Sequence, residues 1–469
     1  MADGLMEHAE PSAFPFGPAS IADIASAGAR NHPDRLALID GDRTWTYAEL
    51  DRAVFDAAAN LSEPGRTESF LTLENSAELI IGVLATLRVG RIWVAAAVER
   101  DLAEVAALTQ GSGVPIDPHA PAVVARTSGT SGEPKMVVHS QHGMLLPALV
   151  SADVEPPRLG ERIGTPLNLR IANVMVLGPI SAFVRGSTFV VMRRRYATGI
   201  AEDIAAHAIT RLLAVPTLAH DLAESPEVEP SQLATLDRVI LGGSGGDPDM
   251  QRRFEGRFGV RPTLSYGLSE APTGVVRESL TDPVGSGTGH PLPHVEIQIV
   301  DPDTGDMLPT GSVGEVCISA ARSGRWANTW TGTLGYLGKP ELTTQLFRGG
   351  VLHTGDLGTI DEQGRVSITG RMSDLIIRGG ANIDPRALVA ELTALGSVSE
   401  AAVIGIDDER LGQQVGAVIV RTSDTSADEL DAELNAVSTA PDHWVIVDTL
   451  PRNPMGKVDR SALRRLLES

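Results

Sequence analysis

The sequence predicts an α/β protein. A large N-terminal domain of parallel and mixed sheets flanked by helices (1–372) should precede a small α+β C-terminal domain (373–469). Three observations carry this. Up to about Asp361, amphipathic helical stretches alternate with short β-branched runs, the order that lays helices on the faces of parallel strands. Beyond about Arg371 the pattern tightens into a mixed unit of roughly a hundred residues, the size of one small domain. The 469 residues are 42% hydrophobic and 21% charged, enough apolar material to bury one or more real cores.

In chain order, Ala122–Ala125 is a short apolar strand and Ile200–Ala206 a helix. Arg211–Val215 is a buried strand, and Pro216–Leu222 opens a helix with proline near its first turn, where its missing N–H is harmless. Glu224–Ser231, rich in Glu, Pro and Ser, is a surface loop; Leu236–Leu241 is another strand, and a helix starts at Pro248. In the tail, Ala387–Leu395 and Ala427–Val437 are helices, Ala401–Ile406 and Val415–Arg421 strands, and Ser461–Leu467 a closing amphipathic helix. No repeat or low-complexity tract interrupts the chain.

The formal net charge of −21 argues against nucleic acid or an anionic membrane as a partner. The single cysteine, Cys317, excludes an internal disulfide and a cysteine-based zinc cluster, and fits a reducing compartment, so the cytoplasm is expected. The first residues carry Asp3, Glu7 and Glu10 where a signal peptide would carry basic residues. The most apolar stretch, Ile171–Val184, is interrupted by Asn173, Gly178 and Pro179 and is too short to span a bilayer.

Six motifs offer chemistry. Thr127-Ser128-Gly129-Thr130-Ser131-Gly132-Glu133-Pro134-Lys135 follows a strand, and its hydroxyls, backbone N–H groups and lysine could wrap a polyphosphate; the spacing is not that of a P-loop. Taken for composition alone, it is a turn. Leu241-Gly242-Gly243-Ser244-Gly245-Gly246 reads either as a nucleotide-contacting turn or as a hydrolase elbow with Ser244 as nucleophile and His290 or His353 as base. Tyr266-Gly267-Leu268-Ser269-Glu270 joins an aromatic plate for a base, a glycine for close approach and a carboxylate for a hard cation; alone it reads as a core tyrosine beside a surface glutamate. His353-Thr354-Gly355-Asp356 offers a carboxylate in a tight turn able to accept two ribose hydroxyls. Gly370-Arg371-Met372-Ser373-Asp374, with Arg378-Gly379-Gly380, marks a hinge or an ordinary turn. Leu450-Pro451-Arg452-Asn453-Pro454-Met455-Gly456-Lys457 ends in a lysine that by itself would be a solvated surface charge.

In type, order and spacing these motifs together resemble the adenylate-forming superfamily of acyl- and aryl-CoA synthetases, luciferases and peptide-synthetase adenylation domains. The resemblance covers about Ile21 to Leu467. It implies an ATP-dependent acid-thiol ligase that converts a small carboxylic acid to acyl-AMP, releases pyrophosphate and passes the acyl group to a thiol. By that resemblance, Thr127, Ser128, Gly129, Thr130, Ser131, Gly132 and Lys135 hold the β- and γ-phosphates of ATP. Tyr266 stacks on adenine with Gly243, Ser244, Gly267 and Ser269 around the nucleotide, Glu270 binds Mg²⁺, and Asp356 holds the ribose. Lys457 and Arg371 are the catalytic groups, and Ser373 is the hinge of a C-terminal domain that is mobile between half-reactions. Gly379 and Gly380 line the thiol tunnel. Gly242, Gly289, Asn168, Arg170 and Asn173 belong to the acyl pocket.

The chain departs from the family pattern in places. Met136 replaces a glycine, Ser269 a threonine and Ser373 a Lys or Asp, while Ala387 and Val389 stand where glutamates are usual. Between Val94 and Thr127 the N-terminal domain is trimmed by about one strand-helix unit. No Asp or Glu lies between Arg162 and Arg185, which disfavours an α-amino acid substrate. Asn168 or Asn173 could bond a ring hydroxyl, and Arg170 could either pair with a second carboxylate or point to solvent. The acceptor is coenzyme A, or alternatively the phosphopantetheine of an acyl carrier protein. Arg252, Arg253, Arg257 and Arg261 form a basic run that could dock either, or simply a solvated helix face.

Overall fold

The structure, a computed structural model, describes residues 5–6, 8, 11–61, 74–95, 116–127, 135–243, 246–422, 426–452 and 458–468. The runs read at Arg211–Val215 and Leu236–Leu241 become central strands of one large sheet. Its nine strands are β1 (Leu36–Asp40), β2 (Arg43–Thr46), β6 (Arg162–Thr165), β7 (Thr188–Val191), β8 (Arg211–Ala214), β9 (Arg238–Gly242), β10 (Pro262–Leu268), β11 (Thr273–Arg277) and β12 (His290–Pro291). They lie in the order β12-β11-β10-β9-β8-β6-β7-β1-β2. From β10 to β1 every neighbouring pair is parallel, and antiparallel strands flank both edges.

Successive residues of the parallel strands enter opposite cores. Leu38, Phe189, Leu213 and Ile240 belong to one, Ile39, Val190, Leu212 and Val239 to the other. Helices cover both faces, so these strands show unbroken apolar runs instead of alternation. Proline opens the helices Pro216–Glu224 and Pro248–Phe258, and Gly259 ends the second at φ 74°, a conformation open to glycine without Cβ strain.

A second sheet takes the order β15-β5-β4-β3 from β3 (Trp93–Ala95), β4 (Pro121–Thr127), β5 (Lys135–Ser140) and β15 (Gly335–Tyr336). Strands β3 and β4 are parallel, and the chain joining them, where a strand-helix unit was expected to be missing, falls largely outside the described residues. A third sheet takes the order β13-β14-β16-β17 from β13 (Val295–Val300), β14 (Gly314–Ala320), β16 (Leu352–Ile360) and β17 (Val366–Arg371).

The chain forms two compact units, one of Met1–Ser312, Val316–Thr354 and Ile360–Ser367, the other of Val313–Glu315, Gly355–Thr359 and Ile368–Ser469. The second unit is built on β18 (Ile376–Arg378), β19 (Ala381–Ile383), β20 (Val398–Asp408), β21 (Gly412–Arg421) and β22 (His443–Ile446). The two strands expected at Ala401–Ile406 and Val415–Arg421 are one long hairpin. Asp407, Asp408, Gln413 and Gln414 continue the ladder beyond the apolar segment, and the Asp408 carboxylate accepts the N–H groups of Arg410 and Leu411 at the turn. The helices Pro385–Thr393 and Ala427–Leu434 supply Leu388, Leu392, Leu430 and Leu434 to one core of this unit, and Arg460–Leu467 supplies Leu463 to another.

At the N-terminal ends of β6, β7, β8 and β9 lies a buried ionic cluster. Arg185 donates from Nε and Nη2 to both oxygens of Glu161 at 2.7 and 2.8 Å, and its side chain is 1% exposed. Ser187 and Arg211 also reach Glu161, and Arg211 and Arg238 pair with Glu155. Burial opposes the Glu161 charge, but hydrogen bonds from Arg185 and Ser187, with the charges of Arg185 and Arg211, hold its carboxyl below the ordinary 4.5. A depressed folded value stabilises at pH above the unfolded value; this contribution is therefore full above about 4.5 and lost as pH falls through the lower folded value. Arg185→Met should lower the unfolding free energy by about 3 kcal/mol, because removing one partner of a buried pair leaves the other charge undersatisfied. Urea unfolding at neutral pH measures this.

Candidate active site

Ligands of open α/β sheets bind beyond the carboxyl ends of the strands, where the winding direction reverses. Here the chain passes from β6 to β7 on one side, then returns across β6 to β8, β9 and β10 on the other, so the reversal lies between β6 and β8. Immediately beyond β6 runs Pro166–Asn173, the stretch expected to shape an acyl pocket. Beyond β9 come Gly242 and Gly243, and β10 contains Tyr266 and Gly267 and leads to Glu270.

The loop after β6 is held by a residue the sequence reading missed. Asn75, 4% exposed, donates from its side-chain amide to the carbonyls of Leu167 and Met192 and accepts the N–H of Leu169. Asn75 precedes Ser76, the cap of the helix Ala77–Arg88, and nothing local ties it to a loop ninety residues away. Asn168 is engaged within its own loop. Its side-chain oxygen accepts the Arg170 N–H at 3.0 Å, leaving its amide N–H groups as the donors it can offer a ligand. Arg170 and Asn173 are half-buried at the same loop and its following helix.

Strands β4 and β5 pair antiparallel with Thr127 opposite Lys135, so the structure brings together the two ends of the expected phosphate loop. Ser128, Gly129, Thr130, Ser131 and Gly132 lie outside the described residues, as do Ser244 and Lys457. Gly243, at φ 91°, makes the turn leaving β9. A Cβ on Gly267 would stand 1.9 Å from the carbonyl oxygen of Thr273 across the β10–β11 hairpin, so glycine is required there by the opposing strand. Gly289 is equally confined: its Cβ would stand 2.1 Å from the Arg277 carbonyl oxygen.

Lys135 and Glu270 meet through Tyr336, another residue not anticipated. The Tyr336 hydroxyl donates to Oε1 of Glu270 at 2.8 Å, and the Lys135 ammonium lies 4.9 Å from the centre of the same ring. Burial, reinforced by the negative charge of Glu270, raises the Tyr336 phenol well above its ordinary value, keeping it a neutral donor. Oε2 of Glu270 has no partner among the described residues. One carboxylate oxygen left open suits a magnesium ion held chiefly by phosphate oxygens and water.

Asp356 and Arg371 belong to the second unit. Asp356, 4% exposed, pairs with Arg371 Nε at 2.7 Å. The tight turn expected at His353–Asp356 is absent; all four residues lie within β16, and Gly355 takes φ 70° inside the strand. A glycine and short polar residues imitate a turn locally, but pairing with neighbouring strands keeps them in the sheet, with Gly355 as a left-handed kink within the strand. Ser373 is exposed in a single 3₁₀ turn between β17 and β18. Gly379 and Gly380, at φ 58° and 88°, form the two-residue turn from β18 to β19, a conformation suited to glycine.

The histidines proposed for a hydrolase have other partners. His353 is engaged by Cys317 through Nδ1 and by the Arg348 carbonyl through Nε2, while His290 bonds Asp282. The basic run is engaged where it stands. Arg252 pairs with Asp249, Arg253 with Glu224, and Arg261 with Glu278, while Arg257 donates to the carbonyls of Ala223, Ser225 and Val228.

A doubly covered parallel sheet that carries Gly242-Gly243 and Tyr266–Glu270 at the carboxyl ends of its strands, taken with the order of the other motifs along the chain, defines a ligase of the adenylate-forming superfamily. The chain belongs to the AMP-binding enzyme family: that family's model matches residues 26–114 and 95–324, and the AMP-binding enzyme C-terminal domain matches 390–457. It is 28% identical over 429 residues to a feruloyl-CoA synthase of Amycolatopsis sp, covering 89% of this chain and 81% of the relative. Its fold is similar to ATP-bound MatB from Rhodopseudomonas palustris, at 25% identity and a TM-score of 0.82, covering 95% of this chain and 98% of the other. It is also similar to o-succinylbenzoate CoA synthetase (MenE) from Bacillus subtilis in complex with the acyl-adenylate OSB-AMP, at 25% identity and a TM-score of 0.77, with the same coverage. The chain is an AMP-forming, acyl-CoA synthetase-like ligase.

Proposed function

We propose that this enzyme activates an aryl or other non-α-amino carboxylic acid with ATP and transfers the acyl group to coenzyme A. The observation that carries the reading is the junction of Lys135 and Glu270 through Tyr336. In the first step a carboxylate oxygen attacks the α-phosphorus, the bond to the β-phosphate breaks, and pyrophosphate leaves. In the second the thiol sulfur attacks the acyl carbon, its proton is lost to solvent, and AMP leaves with the bonding pair.

Both reactants of the first step are anions, so positive groups must hold them together in line. Lys135 and the Thr127–Gly132 loop hold the β- and γ-phosphates, Tyr266 stacks on adenine beside Gly243, Ser244, Gly267 and Ser269, and Asp356 takes the ribose hydroxyls with Arg371 beside it. Glu270 holds Mg²⁺, which when bound neutralises phosphate charge. Lys457 approaches the reacting carboxylate and α-phosphate. The functional division falls between Met372 and Ser373, with Ser373 as hinge, and Gly379 and Gly380 border the thiol path.

The absence of Asp and Glu from 163–184 supports a non-amino acid. The names of two relatives, feruloyl and o-succinylbenzoate, point to aromatic acids. The same two names, a feruloyl-CoA synthase and an o-succinylbenzoate CoA synthetase, support coenzyme A as the acceptor. No helix of the described residues is long and apolar enough to cross a membrane. We place the enzyme in the cytoplasm, where a buried free Cys317 would remain reduced.

ATP/pyrophosphate exchange over a panel of acids, followed by mass spectrometry with coenzyme A, tests the reading. An aryl acid should drive exchange and yield its thioester; exchange driven only by amino acids, or none, overturns it. If Arg170 binds a second carboxylate, Arg170→Leu should weaken use of a dicarboxylic acid by about tenfold or more and spare monoacids, since an anion in the pocket would lose its cation. Equal losses on both substrates would remove the pairing.

A further inference from the structure

We propose that Tyr336 is a positioning residue for the metal-binding carboxylate: its hydroxyl fixes one oxygen of Glu270 and turns the other toward the cation that accompanies ATP. This rests on the reading of Glu270 as the metal ligand. Tyr336 is 6% exposed and is held from several sides. It pairs with Val137 across β15 and β5, two residues from Lys135 on the same strand. Its own N–H donates to Thr343 Oγ1 at 3.0 Å. One residue earlier, a Cβ on Gly335 would stand 2.8 Å from that same oxygen, so the chain is pressed against Thr343.

Glu270 is fixed by the same segment twice. Thr333 N–H donates to the Glu270 carbonyl at 2.8 Å, while Tyr336 donates to its carboxylate. Thr333 is itself anchored, its hydroxyl donating to Val138 and accepting from Gly335. Backbone and side chain of Glu270 are therefore set by residues 333–336. That arrangement determines which carboxylate oxygen faces outward.

The chemistry of the donor matters. A lysine or arginine in place of Tyr336 would cancel the charge that attracts a divalent ion, whereas a neutral hydroxyl orients the carboxylate and leaves its charge available. The ring's face meanwhile receives the Lys135 ammonium. One side chain thus sets the spacing between a cation for phosphate and an anion for metal. Partners of this kind, one shell behind a metal ligand, are worth about 10- to 100-fold in metal affinity.

The test is calorimetric binding of α,β-methylene-ATP to the intact enzyme, with saturating Mg²⁺ and with EDTA. The quantity read is the strengthening of nucleotide binding by Mg²⁺. Tyr336→Phe keeps the ring, and with it the packing and the Lys135 contact. It should reduce that strengthening by about tenfold or more while leaving metal-free binding and the melting temperature unchanged. Glu270→Gln should abolish the strengthening, and adding Tyr336→Phe to it should change nothing further.

If Glu270→Gln weakens the magnesium effect and Tyr336→Phe does not, the positioning role is overturned and the reading of Glu270 stands. If Tyr336→Phe lowers binding equally with and without Mg²⁺, or acts equally in the Glu270→Gln background, its role is structural and the proposal fails. If Glu270→Gln leaves the magnesium effect intact, the reading of Glu270 fails and takes the proposal with it.

Discussion

Lys457→Ala should reduce acid-dependent ATP/pyrophosphate exchange by about a hundredfold or more, the scale of losing a preorganised charge at a transition state. As carboxylate oxygen bonds to the α-phosphorus, negative charge gathers on the phosphorane oxygens and the departing pyrophosphate. An ammonium at that point lowers the barrier more than it strengthens substrate binding, so kcat should fall with little change in KM for ATP. Thioester formation from chemically supplied acyl-AMP should be largely spared, because the phosphoryl transfer is already complete. Measuring the two half-reactions on one preparation separates the outcomes. Equal losses in both, or no loss in either, would falsify the assignment.

Glu270→Gln should lower exchange by about two orders of magnitude or more with the fold retained. Glutamine has the same shape, and its amide oxygen still accepts the Tyr336 hydroxyl, so what is removed is the charge. Raising Mg²⁺ should restore part of the activity, since a weakened site is filled by mass action. An unchanged magnesium titration would show that Glu270 does not hold the metal. Melting temperature within a few degrees of wild type provides the control for folding.

The fold was largely legible because its signals are local. The parallel strands are buried on both faces and announce themselves as apolar runs, and prolines mark the starts of Pro216–Glu224 and Pro248–Phe258. Local signals also set the errors. Asp407, Asp408, Gln413 and Gln414 sit in a ladder that their polarity concealed, and Gly355 suggested a turn where the chain continues as a strand. The side chains of the candidate site stand out in the sequence as residue types, but their supports do not. Tyr336 lies 66 residues from Glu270, and Asn75 lies 92 from the carbonyl of Leu167, distances across which periodicity and capping carry no information. The basic run, read as a docking surface or a solvated helix face, has partners of both kinds: Arg252 pairs with Asp249 three residues away, whereas Glu224, Glu278 and the carbonyls near the end of the preceding helix, which hold Arg253, Arg261 and Arg257, are invisible to a reading of neighbouring residues.

The ionic cluster of Glu155, Glu161, Arg185, Arg211 and Arg238 occupies one end of β6, β8 and β9, while the loops expected to meet the acid leave from the other. Tolerance to mutation should follow that geography. A library randomising Asn168, Arg170 and Asn173 can explore new acids while the cluster keeps the strand starts anchored, so most of its members should remain folded. The same diversity placed at Glu161 or Arg185 would be spent on loss of protein. A lineage diversifying under selection meets the same asymmetry, with acid preference free to drift along one rim and the opposite rim held nearly constant.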